Sequence, residues 1–99
     1  MANKTIIWSK AALKQFEFAI HFIAEHSVQN AEKIRTGILE KIKRLSIYPE
    51  IHPPDKYKLN NDGSYRAFEL HSYRIAYRVT HTEVRILRIR HTNMEPKPH

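Results

Sequence analysis

The hydrophobic period of this chain changes once, and that change limits the folds open to it. From Lys10 to Ile47 apolar residues recur at spacings of three and four. From Tyr73 to Val79 they alternate. A helical half followed by a strand half predicts an α+β domain with helices on one face of an antiparallel sheet. In the first half Leu13, Phe16, Ile20 and Ile23 form the apolar stripe of a helix from Lys10 to about His26, with Ser9 as its N-cap. Phe18 and Phe22 form a second aromatic pair well round that helix. Ser27 caps a second helix running to about Ile47, with Ala31, Ile34, Ile38, Ile42 and Leu45 on one face and Pro49 closing it. So short a connection makes the two helices an antiparallel hairpin.

Thr5-Ile6-Ile7-Trp8 reads as a short strand before the hairpin. After it, Tyr48 to Asp55 is a proline-rich loop, Lys56-Tyr57-Lys58-Leu59 reads as the start of a strand, and Asn60-Asn61-Asp62-Gly63 is a turn. Tyr65 to His71 is the next strand. In the following one, Tyr73, Ile75, Tyr77 and Val79 face one side, and Arg74 and Arg78 the other. In the last, Glu83 to His91, Val84 and Ile86 give way to Leu87 and Ile89, which requires either a bulge or burial on both faces. The expected fold is thus an N-terminal strand, a helical hairpin and a three- to four-stranded antiparallel sheet. It forms one domain over residues 1–91, with residues 92–99 hanging as a polar tail.

Composition excludes several functions. The 99 residues contain no Cys, which removes disulfides, thiol catalysis and Cys-based zinc sites, and two glycines are too few for a Gly-rich phosphate loop. No recognised ligand spacing links His52, His71, His81 and His99, so neither a metal nor a cofactor is expected. The first residues hold no secretory h-region, and no apolar run reaches the ~20 residues of a membrane span, so a cytoplasmic protein without membrane association is expected. Seventeen Lys and Arg against ten Asp and Glu leave a formal charge of +7, which attracts anionic partners.

The words along this frame resemble those of the RelE/ParE superfamily, the toxins of bacterial type II toxin–antitoxin systems. They run from Trp8-Ser9-Lys10-Ala11-Ala12-Leu13 through Phe22-Ile23-Ala24-Glu25-His26-Ser27 and Ile42-Lys43-Arg44-Leu45. They end in Tyr73-Arg74-Ile75-Ala76-Tyr77-Arg78-Val79 and Val84-Arg85-Ile86-Leu87-Arg88-Ile89-Arg90-His91. The resemblance implies a growth-inhibiting toxin neutralised by an antitoxin encoded beside it. The antitoxin would be small and partly disordered, with acidic residues in its toxin-binding segment. Two branches differ in mechanism: RelE-like members cleave messenger RNA in the ribosomal A site without a metal, and ParE-like members poison DNA gyrase.

Metal-free cleavage needs a base for the 2′-hydroxyl, cations for the phosphorane and an acid for the leaving oxygen. By resemblance Arg74 occupies the position of the arginine beside the scissile phosphate. Arg66 is near the family's lysine pair, though Phe68 follows instead of a second cation, and His91 is the acid. Tyr65 or Tyr73 would stack on a base, and Lys56, Lys58 and Arg78 would contact phosphates. The plainer readings are a solvated Arg74 on the outer face of a strand and core positions for Tyr73 and Tyr77. An outward Arg74 contributes little to folding, so Arg74→Ala is expected to abolish toxicity while hardly changing stability.

The long hairpin and the Phe22-Ile23-Ala24-Glu25 turn are written as in ParE-like members, but their His-x-x-Arg-Asp ending is absent. Phe18 and Phe22 serve either as antitoxin-docking residues or as packing against the second helix or the sheet. A further alternative is a basic module that binds RNA without cutting it, through Arg66, Arg74 and Arg78.

Overall fold

A computed structural model describes residues 3–94 and 98–99. The elements are β1 (Thr5–Trp8), α1 (Lys10–Ala24), α2 (Val28–Arg44), β2 (Tyr65–Leu70), β3 (Tyr73–Val79) and β4 (Glu83–His91). The four strands form one sheet in the order β1-β4-β3-β2. β2, β3 and β4 pair antiparallel, as expected, while β1 joins the far edge parallel to β4.

Both helix starts follow from their caps. Ser9 Oγ accepts the Ala12 N–H and Ser27 Oγ accepts the Asn30 N–H, each at 3.0 Å. The ends fall short of the sequence reading. α1 stops at Ala24 rather than His26, and α2 at Arg44, where Leu45 to Ile47 continue only as turns. The buried positions of α1 are Ala12, Phe16 and Ala19; of the expected stripe Phe16 is buried and Ile20 and Ile23 pack half-buried against the core, while Leu13 is 45% exposed. Two alanines allow close approach of the backbone, and hydrophobicity alone favours the larger neighbours. The core lies between the helices and the inner face of the sheet, with Ile38, Leu45, Ile75, Tyr77, Val84 and Ile86 almost wholly buried.

The irregularity in β4 is a bulge. Ala76 faces Arg88 and Tyr77 faces Ile86, so Leu87 is the extra residue. Gln15 Oε1 on α1 accepts the Ile89 N–H nearby at 2.7 Å. The expected strand start at Lys56–Leu59 is a turn instead, because the Asp55 carboxylate accepts the Tyr57 N–H at 3.0 Å and its carbonyl the Lys58 N–H at 3.2 Å. The tail does not simply hang. Residues 95–97 lie outside the described residues, but the His99 N–H donates to Tyr57 O and its carbonyl accepts the Leu59 N–H.

The β2–β3 turn places His71 and Ser72 at φ 51° and 67° without a glycine. Each carries the penalty of a left-handed side-chain-bearing residue. Ser72→Gly is therefore expected to raise stability by about 0.5 kcal/mol, after the added freedom of the unfolded glycine is deducted. Urea denaturation measures this, and a less stable variant would disprove the strain.

Candidate functional site

Register assigns each candidate residue to a face of the sheet. Cross-strand partners share a face, so Glu69, Arg74 and Arg90 lie in one row. Ala67, Ala76 and Arg88 lie in a second, and Tyr65, Arg78 and Arg85 in a third, all on the outer face, away from the helices. Arg66 pairs with Tyr77 and His91 with Tyr73, which puts both on the inner, helix-bearing face. Arg74 is thus separated by the sheet from Arg66, whereas His91, at the end of β4, also lines the cavity beside Arg74.

The segment between α2 and β2 runs along the free edge of β2. Pro54 bridges to Arg66, and the Asp55 N–H donates to Tyr65 O at 2.8 Å. This brings Asp55, the buried charged residue among those described, at 3% exposure, against Arg74. Arg74 Nη2 donates to Asp55 Oδ1 at 2.8 Å and Nη1 to Glu69 Oε2 at 3.1 Å, with the guanidinium 4.8 Å from the Tyr57 ring centre. His99 Nε2 lies 2.7 Å from Asp55 Oδ2 and donates there, since an ionised carboxylate only accepts. Burial pushes the Asp55 carboxyl upward. Arg74, the Tyr57 N–H and His99 outweigh that and hold it below the ordinary value of 3.8. Arg74 is therefore no solvated residue. Beside it a cavity of about 70 Å³ is bounded by Arg74, Arg88, Arg90, Glu69, His91 and His99.

Arg66 acts as a strut. Its Nη1 donates to His52 O at 2.6 Å, tying down the loop, while His52 stacks on Phe68 with centroids 4.7 Å apart. Burial, and then the Lys41 charge, lower the His52 pKa, so the ring is held neutral. Tyr77 donates to Pro49 O at 2.9 Å and its hydroxyl is pushed up to about 12 by burial. Tyr73, expected as a base-stacking candidate, is 8% exposed and meets His91 edge-on at 5.1 Å. The core reading of both tyrosines holds. Tyr65 is on the outer face, but Arg78 and Lys58 lie 4.9 and 4.6 Å from its ring centre. Lys56 sits 5.2 Å over Tyr57.

Phe18 and Phe22 face neither α2 nor the sheet core. They are 74% and 51% exposed, on one wall of a groove of about 530 Å³. Tyr73, Ile89 and Met94 form its apolar far side, and Lys14 and Arg90 its cationic margin, with His91 beside them. Sequence reasoning missed Asp55, Glu69, Arg88, Arg90 and His99. The alternation of Arg88 and Arg90 was a usable signal, but the contacts of Asp55 and His99 are long-range.

The fold is shared with solved structures. The chain is similar to the chromosomal ParDE toxin–antitoxin system of P. aeruginosa, with TM-score 0.69, 19% identity, and coverage of 91% of this chain and 97% of that one. It is similar to the YoeB dimer of Staphylococcus aureus, with TM-score 0.60, 20% identity and coverage of 91% and 98%. For the RelBE2 toxin–antitoxin complex of Mycobacterium tuberculosis the TM-score is 0.50, with 19% identity and coverage of 92% and 93%. At such identities these likenesses establish the α+β fold shared by RelE- and ParE-type toxins. No curated protein sequence matches the chain. The family model described as the ParE toxin of the type II toxin–antitoxin system, parDE, matches residues 6–96, and the chain belongs to that family. It is the toxin of a type II toxin–antitoxin system, and its partner is a cognate antitoxin. No described helix is long and apolar enough to cross a membrane.

Proposed function

We propose that this toxin acts by binding its target rather than by cutting RNA, and that the target is DNA gyrase. The observation that carries this reading is the state of Arg74. Two carboxylates already hold its guanidinium, one of them buried, while Arg66 lies on the other face of the sheet. A cleavage site needs its cations free and within reach of one phosphate. Arg74 could meet a phosphorane only by abandoning Asp55 inside the protein, which is costly. The match to the ParE toxin family supports the same branch. Residues 56–58, Arg74 and Arg78 then serve as contacts, not as catalytic groups.

The antitoxin docks in the Phe18–Phe22 groove. The exposed aromatics offer apolar anchors, and Lys14, Arg90 and His91 complement an acidic amphipathic segment.

Pulse labelling after induction in a bacterial host tests the target. DNA synthesis is expected to stop early while translation continues, and purified toxin is expected to inhibit supercoiling by gyrase. An early halt in translation with messenger RNA cut inside ribosomes would overturn the reading in favour of ribosome-dependent cleavage.

A further inference from the structure

We infer that the outer face of the sheet is a contact surface for the phosphate backbone of duplex DNA. This extends the gyrase reading, because it has the toxin meet its target together with the DNA that gyrase holds. Arg74 faces Arg90 and Arg78 faces Arg85 directly across β3 and β4, with Arg88 between the two rows opposite Ala76. Like charges placed directly opposite destabilise a sheet, and here the arrangement occurs twice on the same face. Carboxylates beside that face include Asp55 and Glu69, which both serve Arg74, Glu83, which serves Arg85, and Asp62, near enough to feel the Arg78 charge. Arg90 Nε is buried without a hydrogen-bond partner. Lys56 and Lys58 add further charge beside Arg74 and Arg78.

The aromatic rings decide between duplex and single strand. Single-strand surfaces present free aromatic faces on which bases stack. Here Tyr57 has Arg74 and Lys56 over its ring, and Tyr65 has Arg78 and Lys58 over its own, so the aromatic residues orient cations and do not stack bases. A surface that offers guanidinium groups and no stacking platform reads phosphates whose bases are turned inward.

The test is fluorescence anisotropy of a labelled 20-base-pair DNA duplex titrated with the intact chain between 50 and 200 mM salt. Each phosphate contact contributes about 0.9 to the slope of log affinity against log salt. The double variant Arg78→Ala/Arg85→Ala is expected to lose about 1.8 from that slope. Lys10→Ala/Lys33→Ala removes the same charge from exposed helix positions and is expected to leave the slope within about 0.5 of the wild type. Circular dichroism checks folding. If the double variant does not fold, Arg85→Ala alone carries the test with an expected loss of about 0.9, since that side chain is 53% exposed. The inference is overturned if the arginine and lysine variants lose equal slope, or if no binding occurs at 50 mM salt. Tighter binding of a single strand or an RNA duplex of the same sequence would overturn it too. Gyrase inhibition without DNA binding would sink this inference alone; DNA binding without gyrase inhibition would sink the target assignment alone.

Discussion

Arg74→Ala is expected to destabilise the fold by about 2 kcal/mol and to lower the melting temperature by about 10 °C. This reverses the expectation from sequence that the substitution would hardly affect stability. That expectation treated Arg74 as an outward, solvated residue, whereas its guanidinium neutralises a carboxylate whose side chain is 1% exposed. Removing it leaves Asp55 with only the Tyr57 N–H and His99, and an undercompensated buried charge costs more than an exposed ion pair contributes. The double variant Arg74→Ala/Asp55→Asn, which buries no charge, is expected to recover at least half of the loss. The pH dependence has a definite sign. Asp55 titrates below 3.8 in the folded protein, so its contribution is complete above the unfolded carboxyl value and disappears as the pH falls through the folded one. Without Arg74 burial pushes the carboxyl upward, and the acid-side loss begins at higher pH. Urea denaturation from pH 3 to 7 measures both effects. An unchanged melting temperature would show that Asp55 does not depend on Arg74. A loss of toxicity in Arg74→Ala must accordingly be read beside its stability; Arg74→Lys, which keeps the charge, is the better probe of function.

The parts of the molecule that were readable from sequence are those fixed by local pattern. The caps Ser9 and Ser27, the alternation of Tyr73 to Val79 and the turn at Asn60–Gly63 each follow from chemistry within a few residues. Even the bulge announced itself, as the change of face between Ile86 and Ile89. What escaped depends on contacts between residues far apart in the chain. Asp55 and Arg74 are nineteen positions apart, and Asp55 and His99 forty-four. No spacing rule connects them. The same limit hid the separation of two expected catalytic residues. Arg66 and Arg74 lie on the paired strands β2 and β3, but which face each takes depends on register, and a one-residue shift reverses it. Arg66 looked like a second cation for the phosphate and is instead a support for the loop that carries His52. The family assignment survived these errors because it rests on the order of elements over nearly the whole chain, not on any one site residue.

Phe18→Asp is expected to weaken antitoxin binding by more than about 100-fold, or about 3 kcal/mol, while leaving the toxin folded. The two halves of this expectation have one cause. Phe18 is 74% exposed in the free toxin, so the fold derives little from its ring and loses little without it. In the complex the same ring would be covered by the antitoxin. An aromatic side chain contributes on the order of 150–250 Å² of contact area, and at the centre of a groove such residues carry most of the affinity. An aspartate there would be stripped of water against Tyr73, Ile89 and Met94 and would also repel an acidic antitoxin segment drawn to Lys14 and Arg90. Val28→Asp is the control: Val28 is similarly exposed at 68%, but it lies at the start of α2 and outside the groove. It is expected to bind like the wild type. Calorimetric titration of each variant with the cognate antitoxin measures the difference. Equal affinity of Phe18→Asp and wild type would remove the groove as the docking site. Equal weakening by both substitutions would mean that the antitoxin covers the helical hairpin broadly rather than anchoring on the aromatic pair.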